Sequence, residues 1–482
     1  MGLLQQLFRT KAVGDADAGH GSGGLTRSFG LFSLTMLGVG ATIGTGIFFV
    51  MAEAVPKAGP AVLLAFLLAG VTAGLTALCY AELSSSIPAA GSSYSYAYVT
   101  MGEFVAFMVA ACLMLEYALS ASATAIGWSG YLNNFLNNAL GFSIPEALRS
   151  PMLVSGKDGL EVHTGQFNLP PVVLVFLCGL LLMRGAKESA TVNAIMVLIK
   201  LAVLVFFSVI AFTGFQASHF TPFFNASGMT GVTAAAGTVF FSFIGLDAVS
   251  TAGAEVRDPK RNVPLGIMLA LLIVMIGYVV VAVTALGAQP TDTFNGQEAG
   301  LAVILQTVTG QTWPAIVLSM GAVISVFSVT LIAIYGQTRI LFAVSRDGLI
   351  PKTFQQVNAR TMAPVNNIVI VCALVSVVAG LVDSSYLWDM VSMGTLVAFI
   401  VVAASVPVLR AKQRGGTGGE SGNFRLPFGA YAIPGLSILS CLYIMKDLSS
   451  ATFTVFFSWI GVAIVVYFAY GLRNSELSRS QP

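Results

Sequence analysis

The sequence predicts an all-α integral membrane protein with twelve spans, on three observations. Hydrophobic residues make up 56% of the chain and charged residues only 9%, whereas soluble domains carry about 25% charged residues. The mean hydropathy is +0.85. Twelve apolar stretches recur along the chain, most of them close to the roughly 20 residues that cross about 30 Å of hydrocarbon. Lipid must therefore solvate most of the apolar surface.

The predicted spans begin after a polar, Gly-rich stretch, residues 1–26, which we expect to be a disordered cytoplasmic tail. The fourth span is short and the eighth is difficult to delimit. In chain order the spans cover residues 31–52, 60–83, 103–129, 169–184, 191–214, 231–252, 264–287, 314–337, 365–382, 385–409, 427–445 and 451–471.

The basic residues predict the orientation of these spans. If the N-terminus is inside, 18 of the 23 Lys and Arg residues lie in inside segments, four lie in outside segments, and Lys200 lies within a span. This bias agrees with the positive-inside rule, because cytoplasmic loops carry an excess of Lys and Arg. The sequence thus predicts that both termini are cytoplasmic and that the protein resides in a plasma membrane, the inner membrane of a bacterium.

Composition also excludes several kinds of partner and site. The net charge of +2 is too small to indicate a nucleic-acid partner. All five cysteines lie in apolar stretches, which argues against a disulfide framework or a metal site. No histidine lies in a predicted span, so we expect neither an enzyme nor a cofactor. A small membrane-protein partner would leave no trace in this sequence.

Spans 1 and 6 carry residues that interrupt helices. Residues 38–46 contain four glycines in nine positions, and each glycine costs a helix up to about 1 kcal/mol relative to Ala. Residues 240–250 place Gly245, Asp247 and two serines at mid-membrane depth. Unwound backbone at that depth is tolerated only where it faces protein or a cavity. Both spans are therefore predicted to be discontinuous helices.

The two interrupted spans lie five spans apart and run in opposite directions. Paired breaks in opposed halves of a transporter mark a binding site, and half-helix N-termini suit a carboxylate while freed carbonyls suit an ammonium. We therefore predict two inverted five-helix repeats, residues 27–214 and 215–410, followed by spans 11 and 12 (411–471) and a cytoplasmic tail (472–482). Close helix packing through Gly40-x-x-x-Gly44 is the alternative explanation for span 1.

At these positions the chain resembles the amino acid–polyamine–organocation superfamily, and within it the bacterial cationic amino acid transporter branch. The resemblance extends over about residues 25–470. The segments that carry it are Gly38–Phe48, Tyr80–Leu83, Ile87–Tyr94, Leu115–Ala118, Phe240–Ser250 with Glu255, and Phe424–Pro427. It implies a LeuT-type fold with discontinuous spans 1 and 6, and transport of cationic or small neutral L-amino acids by alternating access, powered by a proton gradient.

The resemblance also implies a substrate site at the two breaks. Amide groups of residues 44–46 would bind the carboxylate, carbonyls around Thr42, Phe241 and Ile244 would bind the α-ammonium, and Phe240 or Phe241 would serve as an aromatic gate. The full predicted substrate-binding set is Thr42, Ile43, Gly44, Thr45, Gly46, Phe240, Phe241, Ser242, Phe243, Ile244 and Gly245.

Three ionisable residues lie inside predicted spans, where such residues are by default functional hypotheses. Lys200 in span 5 matches a lysine of proton-coupled relatives, and we expect it to tie span 5 to the break in span 1. The alternative is that it snorkels to the interface. Glu116 in span 3 could neutralise Lys200, relay protons, meet a cationic side chain or form a buried pair. Asp247 is expected to cap the second half of span 6, with substrate contact as the alternative.

The sequence leaves two rival functions open. An amino acid exchanger without net proton flow would use the same breaks and the same lysine. A receptor that binds amino acids without transporting them would also have such a site. A channel is disfavoured, because the isolated charges do not form a continuous polar lining.

Overall fold

A computed structural model describes residues 6–12, 29–87, 91–156, 159–252, 256–297, 299–358, 361, 363–416 and 424–480. Within these ranges the chain is helical apart from one short β-hairpin in the connection after span 3. The helices and strands, in chain order, are α1 (Leu31–Thr42), α2 (Thr45–Ala58), α3 (Val62–Ser86), α4 (Ser93–Thr100), α5 (Glu103–Leu140), α6 (Glu146–Arg149), β1 (Leu153–Gly156), β2 (Gly159–Val162), α7 (Leu169–Met183), α8 (Ala186–Thr213), α9 (Gly228–Phe240), α10 (Ala248–Thr251), α11 (Pro259–Ala288), α12 (Gly300–Thr309), α13 (Trp313–Arg346), α14 (Val365–Leu381), α15 (Ser385–Arg414), α16 (Ala432–Met445), α17 (Ser450–Val466), α18 (Leu472–Asn474) and α19 (Glu476–Ser480).

Every predicted span coincides with a helix or a helix pair. Among the residues that the structure describes, eight apolar helical segments are long enough to cross a membrane, and the first of them, residues 31–86, contains predicted spans 1 and 2. Spans 4, 9 and 11 correspond to the shorter apolar helices α7, α14 and α16. The chain is thus a multi-pass membrane protein. The count of twelve spans and the LeuT-type repeat stay predictions.

Two features of the connections were not predicted. The antiparallel hairpin of β1 and β2 follows α5. Leu153 in β1 also forms an isolated bridge with Val382, just before α15. The apolar helix α12 precedes α13 but is only ten residues long, half of what a span needs. A hydropathy window averages over such short elements, which explains why the sequence did not reveal them.

Two hydrophobic cores divide the bundle. The first core packs the broken helices α1–α2 and α9–α10 against α3, α11 and α15. The second core joins α5, α7, α13 and α14 with Ala463 and Tyr467 near the C-terminus. α13 packs along α5 more extensively than any other pair of helices. The first core thus holds both breaks, and the second lies beside it, with α5 and α13 contributing residues to both.

The expectation of a disordered tail is wrong for residues 6–12. Arg9 forms a bidentate ion pair with Glu103, at 2.9 and 3.1 Å, and its side chain is only 7% exposed. Lys11 forms an ion pair with Asp347 at 2.7 Å. Ordering these residues costs conformational entropy, which paired and partly buried charges can offset. The rest of the predicted tail lies outside the described residues.

Candidate functional site: the paired helix breaks

The first break separates α1 from α2 at Ile43 and Gly44. Ile43 is extended, with φ −76° and ψ 98°, and Gly44 occupies the N-cap position of α2 with φ −139° and ψ −144°. The amides of a helix's first turn have no intrahelical partner. The N-terminus of α2 at residues 44–46 therefore presents the donors that the resemblance assigns to a carboxylate.

Lys200 of α8 lies directly against this break. Its Nζ donates hydrogen bonds to the carbonyls of Gly40 at 2.9 Å and Ile43 at 2.6 Å, and its side chain is fully buried. The structure therefore places Lys200 in contact with the span 1 break, and its role in proton coupling stays a prediction. The snorkelling alternative is wrong for the described conformation, because a snorkelling ammonium would reach the surface.

The glycines at the breaks also permit close packing. A Cβ added to Gly44 would lie 2.5 Å from Val329 of α13, and one added to Gly46 would lie 2.6 Å from Ser242. A Cβ on Gly40 would lie 2.8 Å from Val197 of α8. The packing explanation and the break explanation therefore both apply, because the same glycines that unwind α1 bring its backbone close to its neighbours.

The second break follows a 3₁₀ turn at Phe241–Phe243. Ile244 is extended and Gly245 has φ +104°, where a Cβ would lie 2.8 Å from the backbone of Ala41. Only glycine adopts such a conformation without strain. Gly245 thus fixes both the turn and the contact between the two breaks.

Tyr278 of α11 joins the two breaks. Its hydroxyl lies 2.8 Å from the carbonyl oxygen of Thr42 and 2.7 Å from that of Ser242, and its side chain is fully buried. One hydroxyl proton serves two acceptors. Tyr278 was not predicted from the sequence, although a tyrosine in the middle of an apolar span signals a buried polar group that needs a partner.

Asp247 stands at the N-cap position of α10, as predicted, but the expected cap on the amides near Ser250 needs correction. The amide of Ser250 donates to the backbone carbonyl of Asp247 at 2.8 Å, and the Ser250 hydroxyl donates to the same oxygen. The carboxylate of Asp247 accepts a hydrogen bond from the hydroxyl of Tyr117 on α5. Asp247 therefore ties the second break to the second core.

Glu116 is 1% exposed, and neither carboxylate oxygen has a hydrogen-bond partner. Direct neutralisation of Lys200 is therefore wrong for this conformation, because the ammonium bonds to carbonyls instead. Glu116 lines a cavity of about 20 Å³ between the breaks and α13, together with Ala41, Tyr117, Ser120, Ile244, Gly245, Ala248, Val329, Ile332 and Ala333. Burying a carboxyl group without a hydrogen-bond partner is costly.

Comparison with known proteins agrees with this geometry. The sequence profile of a family described as amino acid permease matches residues 29–469. The chain belongs to the amino acid permease family. It is a membrane transporter of amino acids and not an enzyme, and it lies within the superfamily that the sequence motifs indicated.

Three curated relatives illustrate the range of named substrates. The chain is 38% identical to a branched-chain amino acid permease of Bacillus subtilis, over 98% of this chain and 99% of the relative. It is also 38% identical to a methylthioribose transporter of the same organism, over 99% and 100%. Identity to the vacuolar cationic amino acid transporter 2 of Arabidopsis thaliana is 35%, over 85% of this chain and 64% of the relative.

Aromatic side chains of the permease cluster around Trp388 of α15. Phe241 meets Trp388 of α15 with ring centroids 4.3 Å apart, and Phe49 of α2 stacks on the same indole at 5.6 Å. Phe240 instead packs against Phe399 at 5.7 Å. Of the two predicted gate residues, Phe241 is thus the one that contacts Trp388. Trp388 itself is only 6% exposed.

The permease also has a larger cavity, of about 480 Å³. Phe49 and Glu53 of α2 line it, together with Arg149, His163 and Asp383 from the connections around the hairpin. The Phe49–Trp388–Phe241 cluster thus borders the larger cavity through Phe49.

Proposed function

We propose that this permease is a proton-driven symporter that imports cationic or small neutral L-amino acids across the plasma membrane of a bacterium, with both termini in the cytoplasm. The observation that supports the proposal best is the position of Lys200, whose ammonium bonds two carbonyls at the break in span 1. A titratable group at that place couples its proton to the shape of the substrate site.

The coupling follows from hydrogen-bond chemistry. A protonated lysine has three donors, and two of them satisfy carbonyls that the break removes from the α1 ladder. Deprotonation weakens these charge-assisted hydrogen bonds, which are about twice as strong as neutral ones. α1 is then freer to move relative to α8. Glu116 is the second candidate proton site, since it lies unpartnered in the central cavity.

The substrate's α-carboxylate and α-ammonium would bind at the two breaks. The N-terminus of α2 favours an anion, and the carbonyls of Thr42, Phe241 and Ile244 favour an ammonium. The Tyr278 hydroxyl already donates to Thr42, so the substrate ammonium would share or replace that bond. Relatives are named for branched-chain and for cationic amino acids, which supports a site that recognises mainly the α-carboxylate and α-ammonium that these substrates share.

Alternating access would operate between the two cores. The central cavity of about 20 Å³ has room for about one water molecule, so an amino acid enters only if its lining helices separate. The core residues of α1–α2 and α9–α10 lie in the first core, whereas most of those of α5 and α13 lie in the second. Relative movement of the two cores would open the site to one side at a time.

The deciding experiment is uptake of labelled alanine, leucine and arginine into proteoliposomes, with and without an inward proton gradient. Accumulation that needs the gradient and is indifferent to sodium is the expected result. Efflux that occurs only against external amino acid would identify an exchanger. Saturable binding without any accumulation or exchange would identify a receptor.

Glu116→Gln tests the substrate class. If the carboxylate pairs with a cationic side chain, the variant raises the KM for arginine at least tenfold, the loss expected from one charge-assisted hydrogen bond, and spares alanine. If Glu116 carries the coupled proton, uptake of both substrates loses its dependence on the gradient while exchange persists. Unchanged behaviour with both substrates would exclude Glu116 from either role.

A further inference from the structure

The end of the bundle opposite the large cavity is crossed by residues 6–12, here called the strap. Besides the two ion pairs of Arg9 and Lys11, the strap forms two backbone hydrogen bonds. The amide of Glu103 donates to the carbonyl of Arg9 at 3.0 Å, and the amide of Lys11 donates to the carbonyl of Tyr98 at 3.3 Å. The strap is thus bound by both side chains and backbone.

The surface beneath the strap is shaped to receive it. Gly102 has φ +105°, and a Cβ there would lie 2.8 Å from the backbone of Phe8. Glu103 is fully buried and also accepts hydrogen bonds from Tyr98, Tyr467 and Ser475. Tyr467 begins a π-helical turn at Tyr467–Gly471, a distortion that often marks a functional position. A carboxylate with this many donors is held in place whether or not the strap is bound.

The strap is connected to the second break through α4. Asp347, which pairs with Lys11, also accepts a hydrogen bond from Tyr94 of α4 at 2.6 Å. At the beginning of α4, the hydroxyl of Ser92 lies 2.7 Å from that of Ser250 on α10. A continuous chain of contacts therefore runs from Lys11 to the half-helix that follows Gly245. Such contiguous networks can carry coupling when they end on an element that moves.

We propose that the strap is a releasable clamp that presses α4 against α10 and so holds this end of the permease closed. Undocking of Arg9 and Lys11 frees α4, loosens the Ser92–Ser250 contact and allows α10 to move away from the site. The proposal rests on the alternating access proposed above, because it assigns the strap to one of its two closures. Whatever binds or modifies the N-terminus from the same side would then control transport.

Hydrogen–deuterium exchange of the full-length protein tests this clamp with two reporters. The Glu103 amide reports docking of the strap, and the Ser250 amide, bonded to the Asp247 carbonyl at 2.8 Å, reports release of α10. We expect the double variant Arg9→Gln/Lys11→Gln to speed exchange at both amides at least tenfold, because even one of the charge-assisted hydrogen bonds that it removes accounts for about that factor. The control Lys352→Gln removes an exposed cation and should change neither rate.

Two results would overturn the proposal. If Glu103 exchanges faster while Ser250 does not, the strap undocks without affecting α10. If neither amide changes, the two ion pairs do not hold the strap. Ser92→Ala provides a second route should the double variant unfold: it should speed exchange at Ser250 and leave Glu103 at the wild-type rate, and an unchanged Ser250 rate would contradict the connection through α4.

A transport assay separates this inference from the proposed function. The double variant should exchange labelled amino acid faster than the control in proteoliposomes, because its site opens more readily. An equal rate would show that the strap does not limit transport. If even the wild-type chain carries no amino acid, the symporter proposal fails, while the two exchange reporters still decide whether the strap holds α10.

Discussion

Both helix breaks leave backbone carbonyls without partners in their own helix, and the two breaks satisfy them in different ways. At the first break, the carbonyls of Gly40 and Ile43 are satisfied by a cation from a distant helix, Lys200. At the second break, local backbone hydrogen bonds form, such as that from the Ile244 amide to the Phe241 carbonyl at 3.2 Å, and the hydroxyl of Tyr278 donates to the Ser242 carbonyl. The first break therefore depends on a group that can gain or lose a proton, whereas the second depends on backbone geometry and neutral donors.

This difference indicates that the two breaks respond differently to protonation. A break held by a titratable side chain can respond to the proton gradient, and a break held by local geometry keeps its shape in every protonation state. Tyr278 and the contact of Gly245 with Ala41 join the two, so a change at one break reaches the other. Substitutions that affect the breaks separately test this comparison.

The largest effect is expected for Lys200→Met, which keeps the length of the side chain and removes its charge. Proton-driven accumulation should disappear, and the thermal midpoint in detergent should fall, because two buried carbonyls lose donors at about 1–3 kcal/mol each. The matched control is Lys446→Met at a lysine whose side chain is 51% exposed. Accumulation at the wild-type level would contradict the role of Lys200 in coupling.

Gly245→Ala should mainly lower stability. The new Cβ would force φ +104° on a non-glycine residue, at about 1–3 kcal/mol, and would also collide with the Ala41 backbone. Gly277→Ala is the control, because a Cβ there meets nothing within 4 Å and should stabilise α11 by up to about 1 kcal/mol. Equal thermal midpoints for the two variants would show that the second break does not need glycine.

Tyr117→Phe removes the hydrogen bond to Asp247 and should destabilise the protein by about 1–2 kcal/mol. Since Tyr117 lies on α5 and Asp247 precedes α10, the variant weakens a contact between the two cores. We expect a lower thermal midpoint together with a changed rate of exchange across the membrane. A variant that matches the wild type in both would show that this contact does not connect the second break to the second core.

Tyr278→Phe should have the smallest effect on stability, about 1 kcal/mol, because it removes a single hydroxyl proton that two carbonyls share. A raised KM with little change in maximal rate is expected if the hydroxyl positions carbonyls for the substrate ammonium. The control Tyr431→Phe alters a tyrosine that is 75% exposed. A loss of proton coupling in Tyr278→Phe, equal to that in Lys200→Met, would remove the distinction between the two breaks.

Much of the site could be anticipated from local sequence. Glycines within an apolar stretch locate the breaks at residues 43–44 and 244–245, since a helix interior disfavours them wherever they occur. Lys200 stands out for the same reason, as a charge in a lipid-facing stretch. The contact of Lys200 with the span 1 break was expected only from the family resemblance. The partners of Tyr278 and Asp247 could not be predicted, and neither could the ordering of residues 6–12, whose composition is that of a flexible tail.

The sequence by itself determined that this protein spans a membrane, where its helices are interrupted and which charges lie buried, because hydropathy and helix propensity are properties of short segments. The tertiary structure alone decided what those groups contact. Lys200 and Gly40 are 160 residues apart, Tyr278 and Thr42 are 236 apart, and Arg9 and Glu103 are 94 apart. Hydrogen bonds over such separations follow from how whole helices pack, and no local pattern of residues specifies them.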